Sequence, residues 1–479
     1  MLKQFVKNTS IYTISNIITR GISVLLVPFY TRVFSPSDYG IIDLLSITTQ
    51  ILTSIFTLEI TQAVARFYPD TSDIKEARKY ASTGLIYTVF VVGIMALLTI
   101  VFAGILNDFA FNNEVPLSII RINGICVLST GLFYFVQNQL KWRLEPLKQA
   151  ICSIFYSAIA ISLTVIFVLF LHYGVAGVFL AQFIGGGLAF LLGFYFSRSS
   201  YEYKFYFDKF REMAKFSIPL VPSLLAAYVL GYADRVMIKS YMTLNDVGLF
   251  GVGYRFTSVV SLVMYAIQGS ITPIIFANYK HENTPKELSR IFNYFVFLAL
   301  LVISFLSLFS LEIIKILTTP DYYYASKIIP LLVLATLFSG MYVFTPGLSI
   351  EKKTKLISII SVLGAVINIS LNFIMIPAFG IIGASSVTLA SSIFMFFAYF
   401  YFSQKYYYIP FPKKILLFSF SGMIVITSLG MFIPVENQFL HILSKGFLFF
   451  ILFLFLIKIK LIDYKEGLVL LKNKLSKKN

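Results

Sequence analysis

Basic side chains stand inside stretches of this sequence that are otherwise apolar, and their chemistry suits the binding of an anion. They are Arg20, Arg32, Arg235, Lys239 and Arg255. A guanidinium group offers paired N–H donors that match carboxylate or phosphate oxygens, and an ammonium group is a compact positive charge. Arg20 and Arg255 have no acidic residue three or four positions away, so a pair within one helix does not explain them. We therefore expect both to face a polar cavity.

Three acidic residues accompany these cations: Asp43, Glu59 and Asp234. Asp234 is adjacent to Arg235, which could neutralise it. Glu59 lies two turns before Arg66, which could do the same. A carboxylate in an apolar helix can also take up a proton or a sodium ion and so act as a coupling site. Asp43 is the leading candidate for that role, and pairing with a cation of the first apolar helix is an equal alternative.

Neutral polar residues extend the same helix faces: Asn16, Gln50, Tyr265 and Gln268. They recur with serines and threonines at steps of three or four, which places them on one side of a helix. For any single serine or threonine, ordinary packing between helices is an equally good explanation. The chain has two cysteines and three histidines in no ligand pattern, so we expect neither a metal site nor a cofactor.

The elements that carry these residues must be membrane-spanning helices. Hydrophobic residues make up 58% of the 479 residues and charged residues 13%, against about 45–50% and roughly 25% in soluble domains. A span needs about 20 mostly apolar residues, and the apolar windows between charged breaks give about fourteen candidates. We therefore predict an all-α polytopic membrane protein.

Basic residues also predict the orientation. Most of the 39 lysines and arginines fall in alternate loops and near the two ends of the chain. Because such segments stay on the cytoplasmic side, both termini are predicted to be cytoplasmic. The net charge of +17 then faces anionic lipids rather than nucleic acid. Arg32 and Lys239 fall near the outer interface, where extension of the side chain to the lipid surface is as plausible as ligand contact.

Two pairs of segments indicate an internal repeat. SPSDYG at 35–40 matches TLNDVG at 243–248, and YGVAG at 173–177 matches FGIIG at 379–383. Each copy would have six spans, so the copies share one orientation and form a parallel repeat. We predict an N-lobe over 1–200, a C-lobe over 201–404, and two further helices with a basic tail over 405–479. The polar faces of spans one, two, seven and eight would line a central cavity between the lobes.

Missing motifs narrow the function. The sequence has no Walker A, HExxH or CxxC pattern, so an ATP-driven pump and a zinc enzyme lose their usual markers. The predicted outer loops are short, and no cluster of polar residues converges as a membrane enzyme requires. We therefore expect a transporter rather than an enzyme.

The run TISNIITRGISVLLVPFYTRVFSPSDYGIIDLL, with the duplicated six-span unit, resembles the Wzx-type flippases of O-antigen and capsule polysaccharides in the MOP exporter superfamily. The resemblance covers about the first 400 residues, and SPSDYG is its sharpest motif. In that family the cavity is cationic, with candidate residues on the first, seventh and eighth spans. Arg20, Arg235, Lys239 and Arg255 occupy such places, and Asp43 corresponds to the acid of the second span.

The resemblance implies translocation of an undecaprenyl-pyrophosphate-linked oligosaccharide from the cytoplasmic to the periplasmic leaflet of a bacterial inner membrane. Alternating access, coupled to H⁺, Na⁺ or the membrane potential, would drive it, and glycan polymerase or assembly proteins would be partners. One alternative is a multidrug cation antiporter of the same superfamily, which would favour a cavity rich in carboxylates. The other is a polytopic glycan ligase or polymerase, which the short outer loops disfavour.

Overall fold

A computed structural model describes Gly21 and residues 26–71, 73–433 and 437–461, and every regular element in those ranges is a helix. The predicted all-α class is thereby confirmed. The described residues fall into two compact units, within Met1–Val252 plus Ser361–Ala384 and within Gly253–Ile360 plus Ser385–Asn479. The predicted N-lobe, C-lobe and C-terminal boundaries follow the sequence repeat and stay a prediction.

The first unit is built from the helices of the first half of the chain. They are α1 (Val27–Val33), α2 (Pro36–Phe56), α3 (Ile60–Asp70), α4 (Ile74–Val101), α5 (Ala103–Phe111), α6 (Leu117–Trp142), α7 (Pro146–Val165), α8 (Gly174–Ser197), α9 (Phe207–Ser217), α10 (Val221–Tyr241) and α11 (Leu244–Arg255). A π-helical turn over Ile166–Phe170 extends α7. The last three residues of α11 belong to the second unit.

The remaining helices begin after α11. They are α12 (Thr257–Asn278), α13 (Thr284–Leu308), α14 (Ser310–Leu317), α15 (Ile329–Gly340), α16 (Gly347–Ile350), α17 (Thr354–Tyr406), α18 (Lys413–Phe432) and α19 (Gln438–Lys458). Residues 361–384 of α17 belong to the first unit. Helix α17 breaks at Gly380, whose φ of 59° and ψ of −139° are not helical, so it comprises two segments.

Ten helices in the described residues are long and apolar enough to cross a membrane, or eleven if a bent pair over Pro320–Lys327 and Ile329–Phe344 counts as one span. Helix α17 is counted once among the ten although it contains two segments. The chain is therefore a multi-pass membrane protein. The count of fourteen spans and the cytoplasmic position of both termini stay predictions.

The two loops of the sequence repeat have the same local structure. Ser35 caps α2, since its Oγ accepts from the Asp38 N–H at 3.2 Å and its own N–H donates to the Asp38 carboxylate at 3.2 Å. Thr243 and Asp246 exchange the same two bonds at the start of α11, at 3.3 Å and 3.1 Å. Such reciprocal capping needs a hydroxyl and an acid three residues apart, which explains why the acid recurs in both copies.

Helices α2 and α11 then approach each other closely enough for their backbones to touch. A Cβ built on Gly40 would lie 2.1 Å from the carbonyl oxygen of Leu244, and one on Gly248 would lie 1.8 Å from that of Pro36. The contact is reciprocal: each glycine meets the residue that begins the other helix. Only glycine fits at either position, because any side chain would overlap the facing backbone.

Small residues also bring α8 against its neighbours in the first unit. A Cβ on Gly185 would lie 3.2 Å from the backbone nitrogen of Ala160 on α7, and one on Gly186 would lie 2.9 Å from Ser129 Oγ on α6. Close approach of this kind stabilises helix pairs in lipid, where no hydrophobic force drives association. Gly185 and Gly186 therefore serve helix packing, and α6, α7 and α8 pack against one another beside α2.

Candidate functional site

A polar cavity of about 420 Å³ opens in the first unit against one face of α2. Residues of α6, α7 and α8, Tyr228 of α10 and Glu59 complete its lining. The lining residues are Ser46, Thr49, Gln50, Thr53, Ser54, Thr57, Glu59, Asn123, Cys126, Thr130, Gly131, Phe133, Tyr134, Gln137, Tyr156, Gln182 and Tyr228. The polar side of α2, recognised from its spacing, therefore faces a real cavity. None of these lining residues is a lysine or an arginine.

Hydrogen bonds between helices hold the walls of this cavity. Asn123 Nδ2 on α6 donates to Thr49 Oγ1 on α2 at 2.7 Å, and Ser54 Oγ and the Tyr228 hydroxyl are 2.7 Å apart. A polar pair between two helices of an apolar bundle fixes the rotation of both, because the hydrogen bond is lost when either helix turns. The cavity is thus bounded by cross-linked helices.

Glu59 enters the cavity lining through a break in the helical backbone. Leu58 and Glu59 both have left-handed backbone angles, with φ of 50° and 52°, and they separate α2 from α3. The break turns the chain so that the carboxyl group of Glu59 reaches the polar side of α2. Arg66 pairs with Asp70 at 3.5 Å rather than with Glu59, so the expected neutralisation within that segment was wrong.

The second feature is a buried ion pair at the start of α2. Arg235 Nε on α10 donates to Asp43 Oδ2 at 2.6 Å, and the two side chains are 3% and 11% exposed. Arg235 Nη1 also donates to the Gly231 carbonyl at 3.1 Å. The guanidinium carbon lies 5.6 Å from the ring centre of Tyr232 and 5.4 Å from that of Phe250. The cation is held by a carboxylate, a carbonyl and two aromatic faces.

Asp234, the neighbour of Arg235, is directed towards a different helix. Its carboxylate accepts from Asn372 Nδ2 at 2.6 Å, and Asn372 also donates to Asn368 Oδ1 at 3.2 Å. Successive residues of an α-helix point about 100° apart, so Asp234 and Arg235 are directed to different neighbours. The guanidinium of Arg235 is therefore oriented by Asp43 and not by Asp234.

Lys239 is buried and paired. Its Nζ lies 2.6 Å from Glu114 Oε1, and the lysine side chain is only 4% exposed. Extension to the lipid surface, which was one alternative for this residue, is therefore wrong. Arg32 is different: it is exposed and donates to the Pro28 carbonyl at 3.4 Å. Glu114 precedes α6 in a loop outside the apolar stretches, so no sequence signal singled it out.

Among the remaining predicted residues, Arg255 and Gln268 belong neither to the described cavity lining nor to the Asp43–Arg235 pair. Arg255 is the last residue of α11 and is partly buried. Gln268 Nε2 donates to the Gly340 carbonyl at 3.3 Å within the second unit. Tyr265 lies in α12, and its side chain is outside the described part, as are Asn16 and Arg20 altogether. Asn123 and Gln182 were missed, although a lone amide in an apolar span was a usable signal.

The fold and the site together define the class of the protein. Apolar helices of spanning length surround a polar cavity and hold the buried Asp43–Arg235 ion pair, which is the architecture of a multi-pass membrane transporter.

The family follows from comparison with known sequences. The model of the family described as "Polysaccharide biosynthesis protein" matches residues 5–279, which is more than half of the chain. The chain therefore belongs to this family. A second model, MatE, matches residues 219–374. The resemblance to the polysaccharide flippases of the MOP exporter superfamily is confirmed.

The relatives found by sequence are distant, and a solved flippase structure is close in fold. The chain is 25% identical over 414 residues to an uncharacterized membrane protein of Methanocaldococcus jannaschii, covering 81% of this chain and 95% of that protein. It is 24% identical over 191 residues to the probable low-salt glycan biosynthesis flippase Agl15 of Haloferax volcanii, covering 39% and 40%. The structure of the lipid II flippase MurJ in an inward closed conformation aligns with a TM-score of 0.75 at 17% identity, covering 96% and 99%.

Proposed function

We propose that this flippase translocates an undecaprenyl-pyrophosphate-linked oligosaccharide from the cytoplasmic to the periplasmic leaflet of a bacterial inner membrane by alternating access. Family membership supports a polysaccharide precursor as substrate, and the relative named a glycan biosynthesis flippase supports movement of a lipid-linked glycan. The observation that carries the proposal is the buried pair of Arg235 and Asp43.

Arg235 is suited to the pyrophosphate because its positive charge is fixed away from water. A phosphate group that enters at membrane depth needs such a charge, and a guanidinium can present two donors to it. In this conformation the Nε donor is taken by Asp43 at 2.6 Å. A phosphate and the Asp43 carboxylate are both anionic acceptors, so they compete for the same donors. Binding of the phosphate through Nε then requires that the carboxylate yields its contact.

This competition supplies a route for coupling. When Asp43 takes up a proton, it loses its negative charge and its hold on Arg235, and the guanidinium becomes available to the pyrophosphate. Sodium uptake by the carboxylate would act in the same sense. A ligand shifts a conformational equilibrium only through different affinities for the two states, and the exchange of Asp43 for phosphate provides that difference. The alternative is that the pair only holds α2 and α10 together.

Reconstituted flipping tests the proposal. Undecaprenyl-pyrophosphate-linked glycan in proteoliposomes should cross with wild type, and Arg235→Gln should slow transfer at least about tenfold, the equivalent of one lost charge-assisted hydrogen bond. Arg235→Lys should restore only part of the rate. Arg66→Gln is the matched control, because Arg66 is 58% exposed. Wild-type rates for Arg235→Gln would remove this residue from the substrate path.

Coupling is tested in the same vesicles with imposed proton, sodium and voltage gradients. The rate of glycan-lipid transfer by the wild type should respond to one of these gradients. The rate by the Asp43→Asn variant should no longer depend on that gradient. A wild type that responds to none of the three contradicts coupling. An Asp43→Asn variant with the full response contradicts the choice of residue.

A multidrug cation antiporter is the second candidate, and the MatE match over residues 219–374 favours it. Such a protein would move lipophilic cations rather than phosphates. Efflux of a fluorescent cationic dye from the same vesicles, with no transfer of the lipid-linked glycan, would establish it instead.

A further inference from the structure

The polar cavity beside α2 differs chemically from the cationic site that a pyrophosphate requires. Among the described residues that line it, hydroxyl, amide and phenol groups predominate, and Glu59 is the one charged residue of that set. With no lysine or arginine among these described residues, the carboxylate of Glu59 repels a phosphate rather than binding it. The cavity therefore suits a part of a ligand that is polar and uncharged.

We infer that this cavity is a glycan subsite, which binds the uncharged sugars of the lipid-linked oligosaccharide while the pyrophosphate engages Arg235; the inference rests on the proposed function. Sugar hydroxyls both donate and accept hydrogen bonds, and the glutamine, asparagine, serine and threonine side chains of the lining do likewise. The faces of Tyr134, Tyr156 and Tyr228 offer apolar surface to the C–H groups of a sugar ring.

Several polar groups of the lining remain open to a ligand. Within the described part of the chain, the side chains of Gln50 and Thr53 form no hydrogen bond, and Gln182 uses only its Oε1, in a weak contact with the Cys126 thiol at 3.7 Å. In contrast, Asn123, Thr49, Ser54 and Tyr228 are used in the walls. Gln50 and Thr53 can bind a ligand without cost to the structure, because no existing hydrogen bond must break.

Size and position fit the same assignment. A volume of about 420 Å³ lies within the usual range of small-ligand pockets, about 300–1,000 Å³. Asp43, which marks the place of Arg235, and Gln50 lie on the same helix, seven positions apart. At 1.5 Å rise per residue they are separated by about 10 Å along α2. A pyrophosphate and the sugars attached to it can therefore occupy both places at once.

Glu59 adds a prediction about the kind of sugar. A glycan with an acidic sugar would place a second carboxylate against Glu59, whereas a neutral or amino sugar would not. The subsite therefore selects against acidic sugars, and Glu59→Gln should relax that selection.

The test compares three lipids on the purified full-length protein in nanodiscs: undecaprenyl pyrophosphate alone, the same lipid carrying a neutral trisaccharide, and the same lipid carrying an acidic trisaccharide. The wild type should bind the neutral trisaccharide lipid at least about tenfold more tightly than undecaprenyl pyrophosphate alone, and the Gln50→Leu/Thr53→Val double variant should lose that gain. Its affinity for undecaprenyl pyrophosphate alone should be unchanged, which also shows that the variant is folded. Thr99→Val is the matched control, because Thr99 lines a separate apolar pocket against α5.

Three results would overturn the subsite. The double variant keeps the full gain from the neutral trisaccharide, or the wild type shows no such gain while it binds the lipids, or Glu59→Gln leaves the discrimination against an acidic trisaccharide as it was. Binding of none of the three lipids by the wild type would be a different result: the proposed function itself fails, and the subsite fails with it.

Discussion

Replacing Asp43 by asparagine removes the carboxylate that the Arg235 guanidinium contacts at 2.6 Å. The arginine side chain is only 3% exposed, so water cannot take the place of the lost carboxylate. Removing one partner of a buried ion pair costs about 3–5 kcal/mol, because a charge is left in a medium that solvates it poorly. Arg235→Gln has the same consequence for Asp43. Either single variant should therefore lose about 3 kcal/mol or more of unfolding free energy.

The double variant Asp43→Asn/Arg235→Gln should lose about as much unfolding free energy as either single variant, not the sum of the two losses. Two neutral amides replace the two charges, and neither is left buried against an absent partner. The coupling energy between the two sites should be about 2–4 kcal/mol, within the range found for close charge pairs. The exposed pair of Arg66 and Asp70 gives the comparison, since these side chains are 58% and 63% exposed. The double-mutant cycle of this pair should give a coupling energy of about 0–1 kcal/mol.

Unfolding in mixed micelles with increasing dodecyl sulfate measures both cycles. The chain has one tryptophan, Trp142 at the end of α6 in the first unit, so its fluorescence reports the unit that holds both pairs. A coupling energy for Asp43 and Arg235 no larger than that of the exposed pair would refute the reasoning from burial. It would also weaken the coupling proposal, since an exchangeable contact of negligible energy could not bias a conformational change.

Three further predictions concern the fold around the site. Gly40→Ala should destabilise the protein by about 1–3 kcal/mol, because the new methyl would meet the Leu244 carbonyl oxygen at 2.1 Å. The control is Gly93→Ala, which has open space around its Cβ and should be neutral or slightly stabilising in the same unfolding assay. Ser35→Ala should cost about 1 kcal/mol through loss of the cap of α2, and equal stability would contradict the capping argument. For orientation, Ser37→Cys should react with an impermeant thiol reagent from outside and Asp73→Cys only from inside; the reverse pattern would invert the proposed topology.

The features that depend on residues close together in the sequence could be predicted from the sequence alone. Apolar composition and length determined the helical membrane class, because a helix satisfies its own backbone hydrogen bonds in lipid. The recurrence of an acid three residues after Ser35 and Thr243 reflected a capping interaction that is complete within four residues. The polar side of α2 was visible from its spacing, and it faces the cavity.

Only the tertiary structure decided which groups meet. Asp43 and Arg235 are 192 positions apart, and Lys239 and Glu114 are 125 apart. A choice of partner across helices depends on how each helix is rotated and shifted along its axis, and side-chain packing sets both quantities. The same holds for the cavity walls: α6 and α8 showed no polar stripe, yet their amides Asn123, Gln137 and Gln182 complete the lining. Sequence spacing fixes the face of one helix, and packing alone fixes what that face meets.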